Sequence, residues 1–243
     1  MFDKPNQLVF YVNILLVVFG VLLVLCSDYV VIGLFFVVSA LLLIRDQYYQ
    51  NKSKFTISHL ERTLTIHDTC GSRATQTQKL KIAAQHVDNS EFWFKHIHSA
   101  GTMSNFKIND NTPAEQKTED GSLQVCMKFS PDLKVTKEFG ATLSYDQKNA
   151  FVNTEELLCH VVDTETQLLR LVVELPEGRP ASSAHVYCKP EGAERTLLPS
   201  VVKGQTKITV DISDPLLGAE YCLQWDWPRE GVIQRLGCLL KMD

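Results

Sequence analysis

Apolar residues run almost unbroken from Leu8 to Ile44, interrupted by Ser27 and Asp28, after which short stretches of alternating apolar and polar residues take over. The first run, Leu8 to Cys26, has 19 residues. At 1.5 Å per residue, a helix of that length covers about 28 Å, close to the hydrocarbon thickness of a bilayer. The second run, Tyr29 to Ile44, has 16 residues. Arg45 can snorkel and Tyr48 and Tyr49 can extend it as an interfacial belt. The pattern predicts a transmembrane helical hairpin and juxtamembrane segment over residues 1–54. A cleaved signal peptide is the alternative for the first run, but the second follows two residues later and the residue before Cys26 is not small.

Flanking charge sets an expected orientation. Lys4 precedes the first run and Arg45, Lys52 and Lys54 follow the second, while the turn carries only Asp28. Both termini are therefore expected to be cytoplasmic, in a multi-pass inner-membrane protein. Seven cysteines, at 26, 70, 126, 159, 188, 222 and 238, show no paired spacing. That is the pattern of a compartment where thiols stay reduced. Within the hairpin, Asn13 and Ser39 fall at similar depth, as do Gly20 and Gly33, positions suited to interhelical hydrogen bonding and close packing. Asn13 can equally meet a second copy of itself. No Asp, Glu, Lys or Arg lies inside either run, which argues against a proton relay.

From Leu60 the period becomes two, with Leu60, Leu64 and Ile66 set against Glu61, Thr63, Thr65 and His67. Similar stretches recur at 80–83, 92–98, 104–108, 123–129, 139–145, 157–162, 168–175, 184–188, 207–212 and 221–227. Alternation over so many short segments predicts strands. The expected fold class is a transmembrane α-helical hairpin followed by a mainly-β soluble region, an antiparallel sandwich or barrel. Core faces are expected at Leu123, Val125, Met127 and Phe129, at Phe139, Ala141, Leu143 and Tyr145, at Leu169, Leu171, Val173 and Leu175, and at Tyr221, Leu223, Trp225 and Trp227. A polar stretch from Asn109 to Gly121 suggests a loop or linker. The expected organisation is therefore a first β region over 55–110, a sandwich-like region over 111–228, and an amphipathic tail over 229–243 built on Val232, Ile233, Leu236, Leu239 and Leu240.

Beyond residue 54, twenty basic residues face twenty-five acidic ones, a net charge of minus five. Binding to bulk nucleic acid is not expected from such a surface. A small phosphate ligand needs only a few local donors. The densest mixture of rings and cations is Phe92 to His98, so Trp93, Lys95, His96 and His98 are candidate ligand-binding residues, with Arg62 reaching in from a neighbouring strand and Arg73, Lys79 and Lys81 as further donors. The competing reading makes the rings core and the cations a solvated face. His96 and His98 have strand spacing for a metal, but no further ligand lies in the segment, and no metal or other cofactor is expected. Cys159 and His160 are adjacent on a strand and so point to opposite faces, which prevents a nucleophile–base dyad. Asp163, Glu165, Asp211 and Asp214 are expected in turns. Phosphate-loop, zinc-protease and nucleophile-elbow sequences are absent, so no enzymatic activity is expected.

The hairpin, its two-residue turn and a β-rich domain without catalytic motifs together resemble the two-transmembrane effectors of prokaryotic antiviral systems, of the CBASS type or accompanying type III CRISPR. That resemblance implies a homo-oligomer in the bilayer whose cytoplasmic domain senses a cyclic nucleotide or oligonucleotide second messenger and then gates or disrupts the membrane. The alternative is a membrane-anchored adaptor or assembly scaffold that recruits a protein partner through an edge strand or loops.

Overall fold

The computed structural model describes residues 37–39, 55–84, 91–119, 121–129, 138–190, 192–198 and 205–228. The chain divides into two units, Met1–Ser53 and Lys54–Asp243. In the first, only the helical segment 37–39 is described, with Ser39 half-buried. Asn13, Gly20 and Gly33, the predicted spans and the amphipathic tail lie outside the described residues.

The architecture drawn from hydropathy is corrected here. No described helix is long and apolar enough to cross a membrane. Helix among the described residues is limited to three positions, and the rest of the regular structure is strand. The expected hairpin, the two-transmembrane effector resemblance and the multi-pass inner-membrane placement therefore find no support in the structure. The physical reason is that hydropathy reports hydrocarbon content, not backbone geometry. Both runs are rich in Val, Ile and Phe, residues that favour strands as much as apolar helices.

The second unit holds thirteen described strands: β1 (Phe55–Ile66), β2 (Arg73–Ala84), β3 (Glu91–Ile97), β4 (Thr102–Ile108), β5 (Glu115–Glu119), β6 (Ser122–Lys128), β7 (Phe139–Lys148), β8 (Glu155–Val161), β9 (Leu168–Glu174), β10 (Ser183–Lys189), β11 (Thr196–Leu198), β12 (Lys207–Ser213) and β13 (Glu220–Asp226). They form a six-stranded sheet in the order β12-β9-β1-β2-β7-β4, a four-stranded sheet β11-β10-β13-β8 and a three-stranded sheet β3-β6-β5. Strands from both sides of the Asn109–Gly121 stretch share the six-stranded sheet, and that stretch itself contains β5. All five β5 residues are exposed, so it carries no apolar alternation to read.

An all-antiparallel arrangement is also corrected, because β1 and β9 run parallel, Leu60 opposite Leu169 and Leu64 opposite Val173. Such a pair needs no tight turn, since more than a hundred residues separate its strands. Leu60, Leu64, Leu169, Leu171 and Val173 are all at most 2 % exposed. Leu143, Leu223, Trp225 and Trp227 are buried with them in the same core. Burial of these side chains on alternate positions joins their strands in one core, at about 1.5 to 3 kcal/mol for each large apolar group.

Two cross-links bear on compartment. Cys159 and Cys222 sit directly opposite each other on β8 and β13 and form a disulfide. Cys70 is disulfide-bonded as well, while Cys126 and Cys188 are free and buried. Scattered cysteines had suggested reduced thiols; the structure instead pairs residues 63 positions apart, which spacing alone does not reveal. Disulfides persist in oxidising surroundings, so the cysteine argument for a reducing compartment falls.

Candidate functional site: an open corner between sheets

A groove of about 440 Å³ lies along β8. Its lining includes Arg62 from β1, Gln76 from β2 and Gln147 from β7, every β8 residue but His160, with the carboxylates of Glu155 and Glu156 joined by Glu220 of β13, and a wall made by His96, His98, Ser99, Ala100, Ala150 and Phe151. The floor is built from residues that alternation places on the core side of the six-stranded sheet although they are polar. Arg62 is 5 % exposed, flanked on its own face by Leu60 and Leu64. Its Nη1 donates to the Cys159 carbonyl at 2.5 Å. In the orientation that satisfies both ends of its amide, Gln76 accepts from Arg62 Nη2 at 2.6 Å and from Nε, and donates to the Tyr145 hydroxyl at 2.8 Å. The guanidinium thus meets neutral acceptors, and no carboxylate forms an ion pair with it among the described residues.

That buried charge shapes its neighbours. His160, inward-facing on β8, is pushed down to about 3 by burial first, then by the Arg62 and His96 charges. Burial raises the Tyr145 hydroxyl, with Arg62 opposing. Glu156 is raised by burial, while the Asn153 amide that donates to it at 2.6 Å and the Arg179 charge pull the other way. Gln147 is 2 % exposed, and its Oε1 has no hydrogen-bond partner among the described residues.

His160 gives a pH prediction. The folded protein keeps the imidazole neutral to about pH 3, whereas the unfolded chain protonates it below about 6.5. Stability from this group is complete above pH 6.5 and is lost as pH falls, by about 1.4 kcal/mol per unit, so roughly 2 kcal/mol between pH 6.5 and 5. Urea midpoints across that range should fall in the wild type and fall less in His160→Gln. Equal slopes in the two proteins would contradict a neutral buried imidazole.

The sequence-predicted ligand residues divide. Arg62, His96 and His98 line the groove; Trp93 and Lys95 do not. The Trp93 indole N–H donates to Glu91, and Lys117 Nζ sits 4.7 Å from its ring centre. Lys95 is exposed. The division has a local cause: β3 loses register against β6 between Phe94 and Ile97, and His96 adopts φ +54°. This irregularity interrupts the alternation that would have kept His96 on the Phe94 face and turns the His96–Ala100 segment toward β8. Arg73 pairs with Asp68 and Lys79 with Glu61, both away from the groove. Gln76 and Gln147 line the groove without a reading in the sequence, and Tyr145 and His160 are buried behind it; the available signal was polar residues at core-facing strand positions.

Cys159 and His160 do point to opposite sides, the sulfur into the disulfide and the imidazole into the core. Cys159, Glu220 and Cys222 bring ligand atoms within 4.8 Å of one another, but the two sulfurs are joined and thus unavailable as thiolates. Asp211 is corrected from a turn to the middle of β12, where Arg170 holds it through two hydrogen bonds of 2.6 and 2.8 Å.

No family model matches the chain, and no curated protein sequence matches it. Among solved structures, an M1 zinc metallopeptidase from Deinococcus radiodurans is similar at 11 % identity and a TM-score of 0.38, over 70 % of this chain and 42 % of that one. Yeast LTA4 hydrolase in complex with bestatin is similar at 8 % identity and a TM-score of 0.40, over 70 % of this chain and 28 % of that one. The chain thus spans less than half the length of these structures. Likeness at this level carries no argument about activity, and this sequence contains no His-Glu-x-x-His segment.

Proposed function

We propose that the β unit is a non-catalytic recognition domain whose corner groove receives an anionic ligand at its Arg62 end, between the guanidinium and the His96–His98 wall and apart from the groove's glutamates, with a nucleotide as the class that would place its phosphate there. The observation that supports this reading is Arg62: a guanidinium 5 % exposed, facing the groove, with neutral acceptors around it. A buried charge without a counter-charge is costly, and an incoming anion would remove that cost. His96 and His98 add donors at the wall, Phe151 adds apolar lining, and the orphaned Gln147 Oε1 suits an amino group such as those of nucleobases. Two of the groove's titratable groups are engaged structurally, Cys159 in a disulfide and Glu156 on a backbone amide, which favours binding over chemistry at those positions.

Thermal unfolding of the full chain with inorganic phosphate, mononucleotides and cyclic di- and oligonucleotides tests the proposal. A ligand at 100 times its dissociation constant adds about 2.7 kcal/mol to stability. The shift should shrink at least tenfold in apparent affinity for Arg62→Gln and partly recover in Arg62→Lys. A folded protein with no shift across the panel would overturn the reading. Sedimentation with and without the ligand tests the homo-oligomer that belongs to the same proposal.

A further inference from the structure

Each sheet has two edges, and five of the six described edges are blunted. On β12, the exposed Lys207 and Asp211 are held in ion pairs with Glu174 and Arg170. Strand β4 loses register between Ser104 and Lys107, with Asn105 at φ +56°. Strand β3 breaks at His96, β5 carries three charges in five exposed residues, and β11 is three residues long. Charges, irregularities and shortness are the usual means of keeping foreign strands off an edge. Strand β8 carries charge only at its first two positions, Glu155 and Glu156, and its register against β13 is unbroken from Glu155 to Val161.

The ladder also shows which backbone groups β8 turns away from β13; among the described residues, the Cys159 carbonyl is the one of these that Arg62 already engages. Trp227 N–H donates to the Thr154 carbonyl and Val162 N–H to the Ala219 carbonyl. In an antiparallel pair, hydrogen-bonded positions alternate, so 154, 156, 158, 160 and 162 face β13 while 155, 157, 159 and 161 aim their N–H and C=O groups away from it. The Arg62 contact to the Cys159 carbonyl agrees with that phase. Leu157 and the nearby Val152 are 45 % and 51 % exposed, apolar surface flanking the open ladder.

We infer that the β8 edge is a docking site for an extended segment of a partner protein, added as a neighbouring strand, with an acidic side chain opposite Leu158 or His160 reaching Arg62. The acidic anchor rests on the anion reading given above; the edge pairing does not. The groove has a second wall, His96–Ala100 with Ala150 and Phe151, so it admits a lone strand with no sheet behind it, which argues against a second copy of this chain pairing β8 to β8. Main-chain bonds would supply affinity and the buried guanidinium selectivity.

The test uses the full chain against arrays of nonapeptides randomised around a central Glu, Lys or Ala, followed by dissociation constants for the best binders. Leu157→Pro removes one outward N–H while leaving the β13 ladder intact, as proline allows on an edge. It should weaken binding at least tenfold, whereas Leu217→Ala, at an exposed site away from the groove, should not. As a measurement on the unaltered protein, N-methylating alternate peptide amides should abolish binding in one phase and spare it in the other. Arg62→Gln should weaken Glu-centred peptides at least tenfold more than it weakens Ala-centred ones. Loss with Leu157→Pro but not Arg62→Gln supports the edge and removes the acidic anchor. Loss with Arg62→Gln alone, with both N-methyl phases tolerated, overturns the edge. No binding peptide, or a self-association that Leu157→Pro abolishes, also overturns it.

Discussion

Gly71→Ala is expected to cost the β unit on the order of 4 kcal/mol or to prevent folding, the sum of strain at positive φ and backbone overlap. Gly71 lies in the β1–β2 turn at φ +69°, and a Cβ there would stand 1.6 Å from the Phe151 carbonyl oxygen and 2.5 Å from its carbon. Neither atom can yield easily, because Phe151 N–H donates to the Gly71 carbonyl and Asn149 N–H to that of Ser72, tying the β1–β2 turn to the β7–β8 connection. Domain stabilities are typically about 5 to 15 kcal/mol, so the loss is a large share of the total. Gly121→Ala is the control: φ is +73° there, but nothing lies within 4 Å of the added carbon. Only the conformational strain remains, roughly 1 kcal/mol. Urea midpoints should separate the two variants widely; similar midpoints would mean that the turn and the connection do not touch. Since Phe151 also lines the groove, any folded Gly71→Ala protein should bind its ligand more weakly.

Breaking the Cys159–Cys222 disulfide is the second large effect. It closes a loop with a sequence separation of 63. In the chain-entropy treatment, a loop of that size corresponds to roughly 4 kcal/mol of stabilisation, with measured values typically 2 to 4. The double variant Cys159→Ser/Cys222→Ser should therefore unfold at lower urea by that amount, and the wild type in excess dithiol, which opens the Cys70 disulfide too, by at least as much. The loss should carry over to the groove, because the carbonyl of Cys159 holds Arg62 in place. Alkylation and mass measurement confirm the state of the thiols: Cys126 and Cys188 should be modified only on unfolding, and Cys159 and Cys222 only after reduction. An unchanged midpoint on complete reduction would show that the bond adds no constraint beyond the β8–β13 ladder.

The strands were legible where alternation met burial. Leu169, Leu171, Val173 and Leu175 are all buried, as are Tyr221, Leu223, Trp225 and Trp227. Strand β5 and the first half of β2 were not legible, because Glu-Gln-Lys-Thr-Glu and Arg-Ala-Thr-Gln-Thr-Gln present few apolar side chains and owe their strand geometry to β6, β1 and β7. The short β11, held by Val186, Tyr187 and Cys188 of β10, is another case of structure lent by a partner. At the groove, charge in the sequence singles out Arg62, His96 and His98 and joins them to Trp93 and Lys95, which the structure places off the groove. Alternation assumes an unbroken strand, and the irregularity at His96 breaks it.

By itself, the sequence determined the period of two from Leu60 onward, and with it the mainly-β character and much of the core, because solvent exclusion acts on each strand through the side chains that strand carries. It did not determine what the apolar stretch between Leu8 and Ile44 forms. Hydrocarbon content measures transfer from water and leaves the backbone's hydrogen-bonding partners open. Only the tertiary structure decided that β1 runs beside β9, that Cys159 meets Cys222, and that Arg62 is buried against Gln76 and the edge of β8. Each of these joins residues far apart in the chain. Their pairing depends on the register and order of whole sheets, which no local pattern of residues encodes.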